Sequence, residues 1–312
     1  MIIRLLIFIA NNGRYTLVAG LIAGFLLPSI AIIVKDLLPH LVAFLLFLTA
    51  LRIGHTKVIS SFQKFSLLLL LVLSLQLFLP LLAIGFLSVL QVSSSIFSIA
   101  LILILAASSI TGAPNFAILL DAKPEPAFQA LIIGTALLPI TVIPIFWIVP
   151  ELGGFSEVFN ASILLLITIF LTTFFGFFVR GLVFPKLDQN QTIALDGLTA
   201  LTLAFMVIGL MAALRPALIS DPLSVAKWLI FALIVNLGLQ FITFHLLKLF
   251  KLSEFAVPIG IVSGNRNIAL YLVALPIMQS EQLLIFLGCY QIPMYLTPII
   301  MRKVYRNTSY NS

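Results

Sequence analysis

The sequence predicts an all-α integral membrane protein of about ten transmembrane helices in two inverted five-helix repeats, with discontinuous fourth and ninth helices. Three observations carry this expectation. Apolar residues make up 62% of the chain and charged residues only 9%, with a mean hydropathy of +1.24. Apolar runs long enough to cross roughly 30 Å of hydrocarbon recur along the 312 residues. Two segments marked by Gly and Asn also match each other about 150 residues apart.

A soluble domain is usually near half apolar and about a quarter charged. This chain has too few charges to cover a water-facing surface, so lipid is the expected solvent and partner. The net charge of +7 would suggest nucleic acid in a soluble protein. Here the basic residues sit mainly in short loops between apolar runs, and no nucleic-acid partner is expected. The one cysteine, Cys289, lies inside an apolar run and reads as a structural thiol. The start, Met1 to Arg14, lacks a small-residue cleavage site and runs straight on into apolar sequence. It reads as an interfacial lead-in rather than a signal peptide.

Charged residues and Pro/Gly breaks place the first five spans at Tyr15–Val34, Leu37–Leu51, Phe65–Leu90, Ile96–Leu120 and Pro126–Val149. The second five fall at Ala161–Phe184, Ile193–Leu214, Ala226–Leu249, Phe255–Met278 and Gln282–Met301. Thirteen Lys and Arg residues then fall on one side, among them Arg14, Arg52, Lys123, Arg302, Lys303 and Arg306. The other side holds three, Lys35, Arg215 and Lys227, together with Glu151, Glu157 and Trp147. The positive-inside rule puts both termini in the cytoplasm of a cell with this multi-pass protein in its cytoplasmic (inner) membrane.

Thr111-Gly112-Ala113-Pro114-Asn115-Phe116-Ala117 aligns with Ser263-Gly264-Asn265-Arg266-Asn267-Ile268-Ala269. Gly24-Phe25 matches Gly176-Phe177 at the same offset. Downstream, Gly134, Pro139 and Pro144 are spaced five apart, as are Gly288, Pro293 and Pro298. Residues 1–150 and 151–312 are therefore read as two repeats of five spans each. An odd number of spans per unit forces the second to enter the membrane inverted, an architecture of secondary transporters.

Both repeat motifs fall mid-span. Proline removes a backbone donor, and broken backbone is tolerated at membrane depth only inside protein or a water-filled cavity. Paired breaks in corresponding halves point to a substrate site, here Thr111, Gly112, Asn115, Ser263, Gly264, Asn265, Arg266 and Asn267. Two ordinary kinks are the bland alternative, but they would not need buried amides, which must be paired to avoid a penalty. Arg266 is the one formal charge expected near a helix centre, at about 2.5–3.5 kcal/mol on insertion scales. Its partner is either backbone carbonyls at the half-helix ends or an anionic ligand.

These residues resemble the bile acid:sodium symporter family over nearly the whole chain. The resemblance implies ten spans, inverted repeats, crossed discontinuous fourth and ninth helices, and an organic-anion substrate with two sodium ions bound behind it. Asn115 matches the family's fourth-helix Asn, with Pro114 in place of its Ser. Gly264 and Asn267 match on the ninth helix, whereas Val262 and Arg266 stand where the family has Glu and Gln. Gln76, Asn115 and Thr135 look like retained polar positions of the family, which the resemblance implies as residual cation-binding residues. Two sodium ions plus a carboxylate carry the same charge as a lone arginine, so Arg266 is expected to replace the ions. No other cofactor is implied.

Among the other ionisable groups, Asp196 reads as an interfacial helix cap or, if its helix starts earlier, as a proton carrier. Asp121 and Glu125 flank Lys123 in a short solvated loop, His245 snorkels, and Tyr271 and Tyr290 line a cavity, face lipid or pack. No metal-ligand cluster, His-Glu-x-x-His or phosphate loop occurs, so no enzyme is expected. A channel or a non-transporting sensor is the alternative to a carrier.

Overall fold

A computed structural model describes residues 2–54, 64–149, 155–211, 214–268 and 281–306. Glu151, Tyr271 and the second half of the ninth span lie outside them. The described residues form no strand beyond one isolated bridge between Ser109 and Arg266.

The first helices depart from the sequence-based boundaries. α1 (Ile2–Asn11) meets α2 (Gly13–Leu26) at 88°. α1 crosses α9, introduced below, so closely that a Cβ at Gly197 would lie 2.0 Å from the Leu6 carbonyl oxygen. The first two predicted spans are divided at Leu27, not near Lys35, because Pro28 opens α3 (Pro28–Ile53) and proline suits a first helical turn. α3 bends by 64° between Pro28–Leu38 and His40–Arg52.

α4 (Phe65–Val89) contains one π-helical turn at Ser74–Phe78. The fourth predicted span is two helices, α5 (Ile96–Ala106) and α6 (Ala113–Leu119). Pro114 lies in the first turn of α6, where no backbone donor is required. The break lies before it, at 107–112. α7 (Glu125–Ile148) bends by 55° between Glu125–Leu138 and Ile140–Ile148.

α8 (Phe155–Leu182) precedes α9 (Gln189–Leu210), whose N-terminus carries a capping box between Asp188 and Gln191. That overturns the cap reading of Asp196, which lies two turns into the helix and pairs instead with Arg52. α10 (Leu214–Ser220) and α11 (Pro222–Leu249) follow, the latter capped by Asp221. α12 (Ser253–Gly264) stops at the ninth-span motif, and α13 (Glu281–Ile300) and α14 (Arg302–Arg306) close the described chain.

Three of the described helical segments, Phe65–Val89, Gln189–Ser220 and Pro222–Leu249, are long and apolar enough to cross a membrane. Three bent pairs raise that number to six. Their outer surfaces suit lipid: Phe170, Phe174, Phe175 and Phe178 on α8 are each more than half exposed, as are Ile230, Ile234 and Ile242 on α11. This is a multi-pass helical membrane protein.

The helices pack as two groups. α9 lies against α1, α2 and α3, and α3 also packs on α8. The other group joins α4, α5, α6 and α7 to α11, α12 and α13, and α8 also packs on α7, which connects the two groups. The two sequence halves are therefore interleaved, each group drawing helices from both. Gly24 of α2 and Gly176 of α8, the matched pair of the sequence repeat, both sit at helix crossings in the first group. A Cβ there would come within 2.9 Å of Ile208 Cα and 2.8 Å of the Phe47 carbonyl, respectively.

Candidate functional site

The two interrupted segments meet. Ile110 N–H donates to the Asn265 carbonyl at 3.0 Å, and Asn267 N–H donates to the Ser108 carbonyl at 2.8 Å. This antiparallel contact satisfies backbone groups that a broken helix leaves open, which membrane depth demands. Ser108, Ser109, Thr111, Asn115, Ser263, Asn265 and Arg266 are all buried around it, while Asn267 is half-buried.

Arg266, 2% exposed, spreads its planar fork over three helix breaks. Nε donates to the Ser263 carbonyl at 2.9 Å, Nη1 to Ala107 at 3.0 Å and Nη2 to Leu75 at 3.3 Å. Ser263 and Ala107 are at the C-terminal ends of α12 and α5, where the helix dipoles are negative. Leu75 belongs to the π-helical turn of α4, a feature that disturbs the regular ladder and turns a carbonyl outward. A guanidinium thus sits at a point already made negative by backbone geometry. Of the two partners that the sequence leaves open for Arg266, these contacts are backbone carbonyls.

Buried carboxamides brace the crossing from both sides. Gln76 donates from Nε2 to the Gly134 carbonyl at 2.9 Å and to Thr141 Oγ1 at 3.0 Å, joining α4 to α7. Gln240 donates to Thr297 Oγ1 at 2.9 Å, joining α11 to α13, and to Asn236 Oδ1 at 2.7 Å. Asn236 donates in turn to the Gly264 carbonyl and to Asn265 Oδ1. Tyr290 donates to the same Gly264 carbonyl, so it packs into the crossing. Tyr305 donates to Gln240 Oε1 at 3.1 Å, and burial raises its phenol well above the usual range, keeping that donor protonated. Gly264 is required here because a Cβ would fall 2.2 Å from the Asn236 carbonyl oxygen.

Sequence patterns alone do not single out Asn236, Gln240, Thr297 or Tyr305. The available signal was two carboxamides four residues apart in an otherwise apolar span, which places both on one helix face.

Asn115 stands apart from the Arg266 contacts. Its Nδ2 donates to Thr49 Oγ1 at 3.1 Å across the boundary between the two helix groups. It also lines a narrow cleft of about 10 Å³ between α6 and α9, with Leu119, Asp196, Thr199 and Leu203. That is space for about one water molecule. Asp196 faces this cleft while its carboxylate takes a two-pronged contact from Arg52, at 2.9 and 3.3 Å. Gly112 packs against Leu203, 2.9 Å from a built Cβ. Ser108 Oγ and Thr135 Oγ1 are buried with no hydrogen-bond partner among the described residues. Gln76, Asn115 and Thr135 therefore do not converge through shared hydrogen bonds.

Outside the crossing, Asp121 is not merely solvated but pairs with three arginines. His245 lies on the exposed surface with Nδ1 at 2.8 Å from the Phe241 carbonyl, and Cys289 is buried against the Val225 carbonyl. The described residues contain no cluster of metal-ligating side chains. No family model matches this chain, and no curated protein matches it either.

Proposed function

We propose that this protein is a secondary transporter that carries a small organic anion across the cytoplasmic membrane by alternating access. The reading includes ten spans in two inverted repeats, 1–150 and 151–312, with both termini cytoplasmic. The single observation that supports it best is the meeting of two interrupted helices around the buried Arg266 fork. Interrupted helices meeting inside a helical membrane protein suit a midplane binding site, where freed backbone groups can face a solute.

Two pairs of contacts favour the repeat. Gln76 to Thr141 links the third and fifth spans of one unit, and Gln240 to Thr297 links the eighth and tenth of the other. Gly24 and Gly176 occupy matching crossings, α2 on α9 and α8 on α3. Such correspondence is what duplication with inversion would produce, and it supports the repeat.

In this reading Arg266 is a fixed cation of the scaffold. Its nitrogens occupy the carbonyl oxygens that a hard cation would need, and a guanidinium repels sodium. The crossing therefore fits sodium poorly, and Val262, apolar at the position of the expected acidic ligand, agrees with that. The cleft at Asn115 between the two helix groups holds only about one water molecule, so in this reading an organic anion enters beside the crossing only when the two groups move apart.

The test begins with a thermal-shift screen of small carboxylates, since a bound ligand raises apparent stability by mass action. A hit is then used in counterflow with reconstituted protein. Unlabelled substrate inside the vesicles should drive transient accumulation of labelled substrate. Simple equilibration without accumulation would identify a pore, and no hit together with no flux would leave a sensor.

A further inference from the structure

The arginines on the basic side of the protein are not spread evenly. Three of them converge on one carboxylate oxygen, Asp121 Oδ2: Arg306 at 3.2 Å, Arg14 at 3.7 Å and Arg302 at 3.9 Å. They come from α2 and α14, far apart in sequence, and Asp121 lies in the turn that follows α6 with φ of 60°. The positive-inside rule explains the sign of these residues but not their convergence.

The cluster is built rather than incidental. Arg14 is oriented by Nε, which donates to the Leu119 carbonyl at 2.9 Å. α14 is fastened by Tyr305, buried between its two arginines, with the hydroxyl on Gln240 and the ring 4.9 Å from Phe244. Arg302 and Arg306 stand one helical turn apart and both reach Asp121. Among the described residues, three guanidiniums against one carboxylate leave two positive charges uncompensated. The Arg302 Nε–H is buried with no acceptor among the described residues. Asp121 itself is 61% exposed, so the cluster is open to an incoming group. Tyr15, 73% exposed next to Arg14, is an amphipathic ring of the kind found at headgroup level.

We propose that Arg14, Arg302 and Arg306 form a binding site for the phosphate headgroup of an anionic phospholipid in the leaflet on the basic side. A phosphodiester oxygen accepts from the free edges of the guanidiniums, which match phosphate geometry in pairs. The acyl chains lie along the apolar flank beside Tyr15. Basic pockets between helices on the cytoplasmic side suit such headgroups. This inference does not depend on the transport reading.

The test uses the purified full chain in detergent with equimolar phosphatidylglycerol and phosphatidylcholine, and counts retained lipid by native mass spectrometry. Two well-placed basic side chains are worth about thirtyfold in preference for an anionic lipid. The wild type should show a preference of that order, and Arg302→Gln with Arg306→Gln should bring it close to parity. Asp121→Asn removes the competing carboxylate and should keep or strengthen the preference. If the double variant does not fold, the Asp121→Asn comparison decides. Parity in the wild type overturns the proposal, as does an unchanged preference in a folded double variant. Loss of preference in Asp121→Asn would make the cluster an ion-pair latch. Complete displacement of phosphatidylglycerol by millimolar inorganic phosphate would make it a site for a free anion.

Discussion

Replacing Arg266 by Met keeps much of the side-chain volume and removes every donor of the fork. Three buried carbonyls, those of Leu75, Ala107 and Ser263, then lose the hydrogen bonds it gives them. An orphaned buried acceptor costs about 2 kcal/mol, giving a penalty of about 6 kcal/mol for three. Relief from burying a cation returns about 3 kcal/mol on insertion scales. The net loss is about 3 kcal/mol, enough to lower a melting midpoint by about 5 °C or more. Arg266→Lys should recover only part of this, because an ammonium cannot span three carbonyls set by a planar fork. The assay is thermal unfolding of detergent-solubilised protein followed by tryptophan fluorescence. If Arg266→Met melts within about 1 °C of the wild type, the guanidinium does not hold the crossing together.

Other outcomes follow from the same contacts. Gly264→Ala forces a methyl group to 2.2 Å from the Asn236 carbonyl oxygen, a backbone atom, and should cost about 3 kcal/mol, read as lost monodisperse protein on size exclusion. Arg52→Gln and Asp196→Asn, taken singly and together in a double-mutant cycle, should give a coupling of about 1 kcal/mol, since both side chains are less than one-fifth exposed; a coupling near zero would mean the pair is incidental. Gln240→Leu cuts bonds to Asn236, Thr297 and Tyr305 at once and should destabilise by about 2–3 kcal/mol, measured by melting. Gln76→Leu, with fewer partners, should lose less.

The helical, membrane-embedded character was legible because lipid imposes it on composition. A chain with Phe on the outside of α8 has no other solvent available. The interruption of the fourth span was legible too, since Gly112 and Pro114 punctuate an apolar run, although the proline proved to start α6 rather than break its predecessor. The burial of Arg266 followed from its distance to any loop. Carbonyls at the half-helix ends are one of the two partners the sequence offers it, and Ser263 and Ala107 are such carbonyls. The third, Leu75, was not legible, because a π-helical turn at Ser74–Phe78 depends on how α4 packs and has no residue signature. Asp196 was misread for a related reason. The stronger capping signal, Asp188 with Gln191, lies eight residues earlier in a stretch that looks like loop, and Arg52 is 144 residues away. The arginine cluster on Asp121 was hidden by the same distance, since linear charge counting assigns sides but not neighbours.

The most direct measurement of the central claim is counterflow of a carboxylate into proteoliposomes, with sodium present and with choline in its place. A carrier whose crossing holds a built-in guanidinium should transport at equal rates in both, and Arg266→Met should abolish the flux. A drop of about tenfold on removing sodium, equivalent to about 1.4 kcal/mol of lost coupling, would contradict Arg266 as the substitute for bound ions.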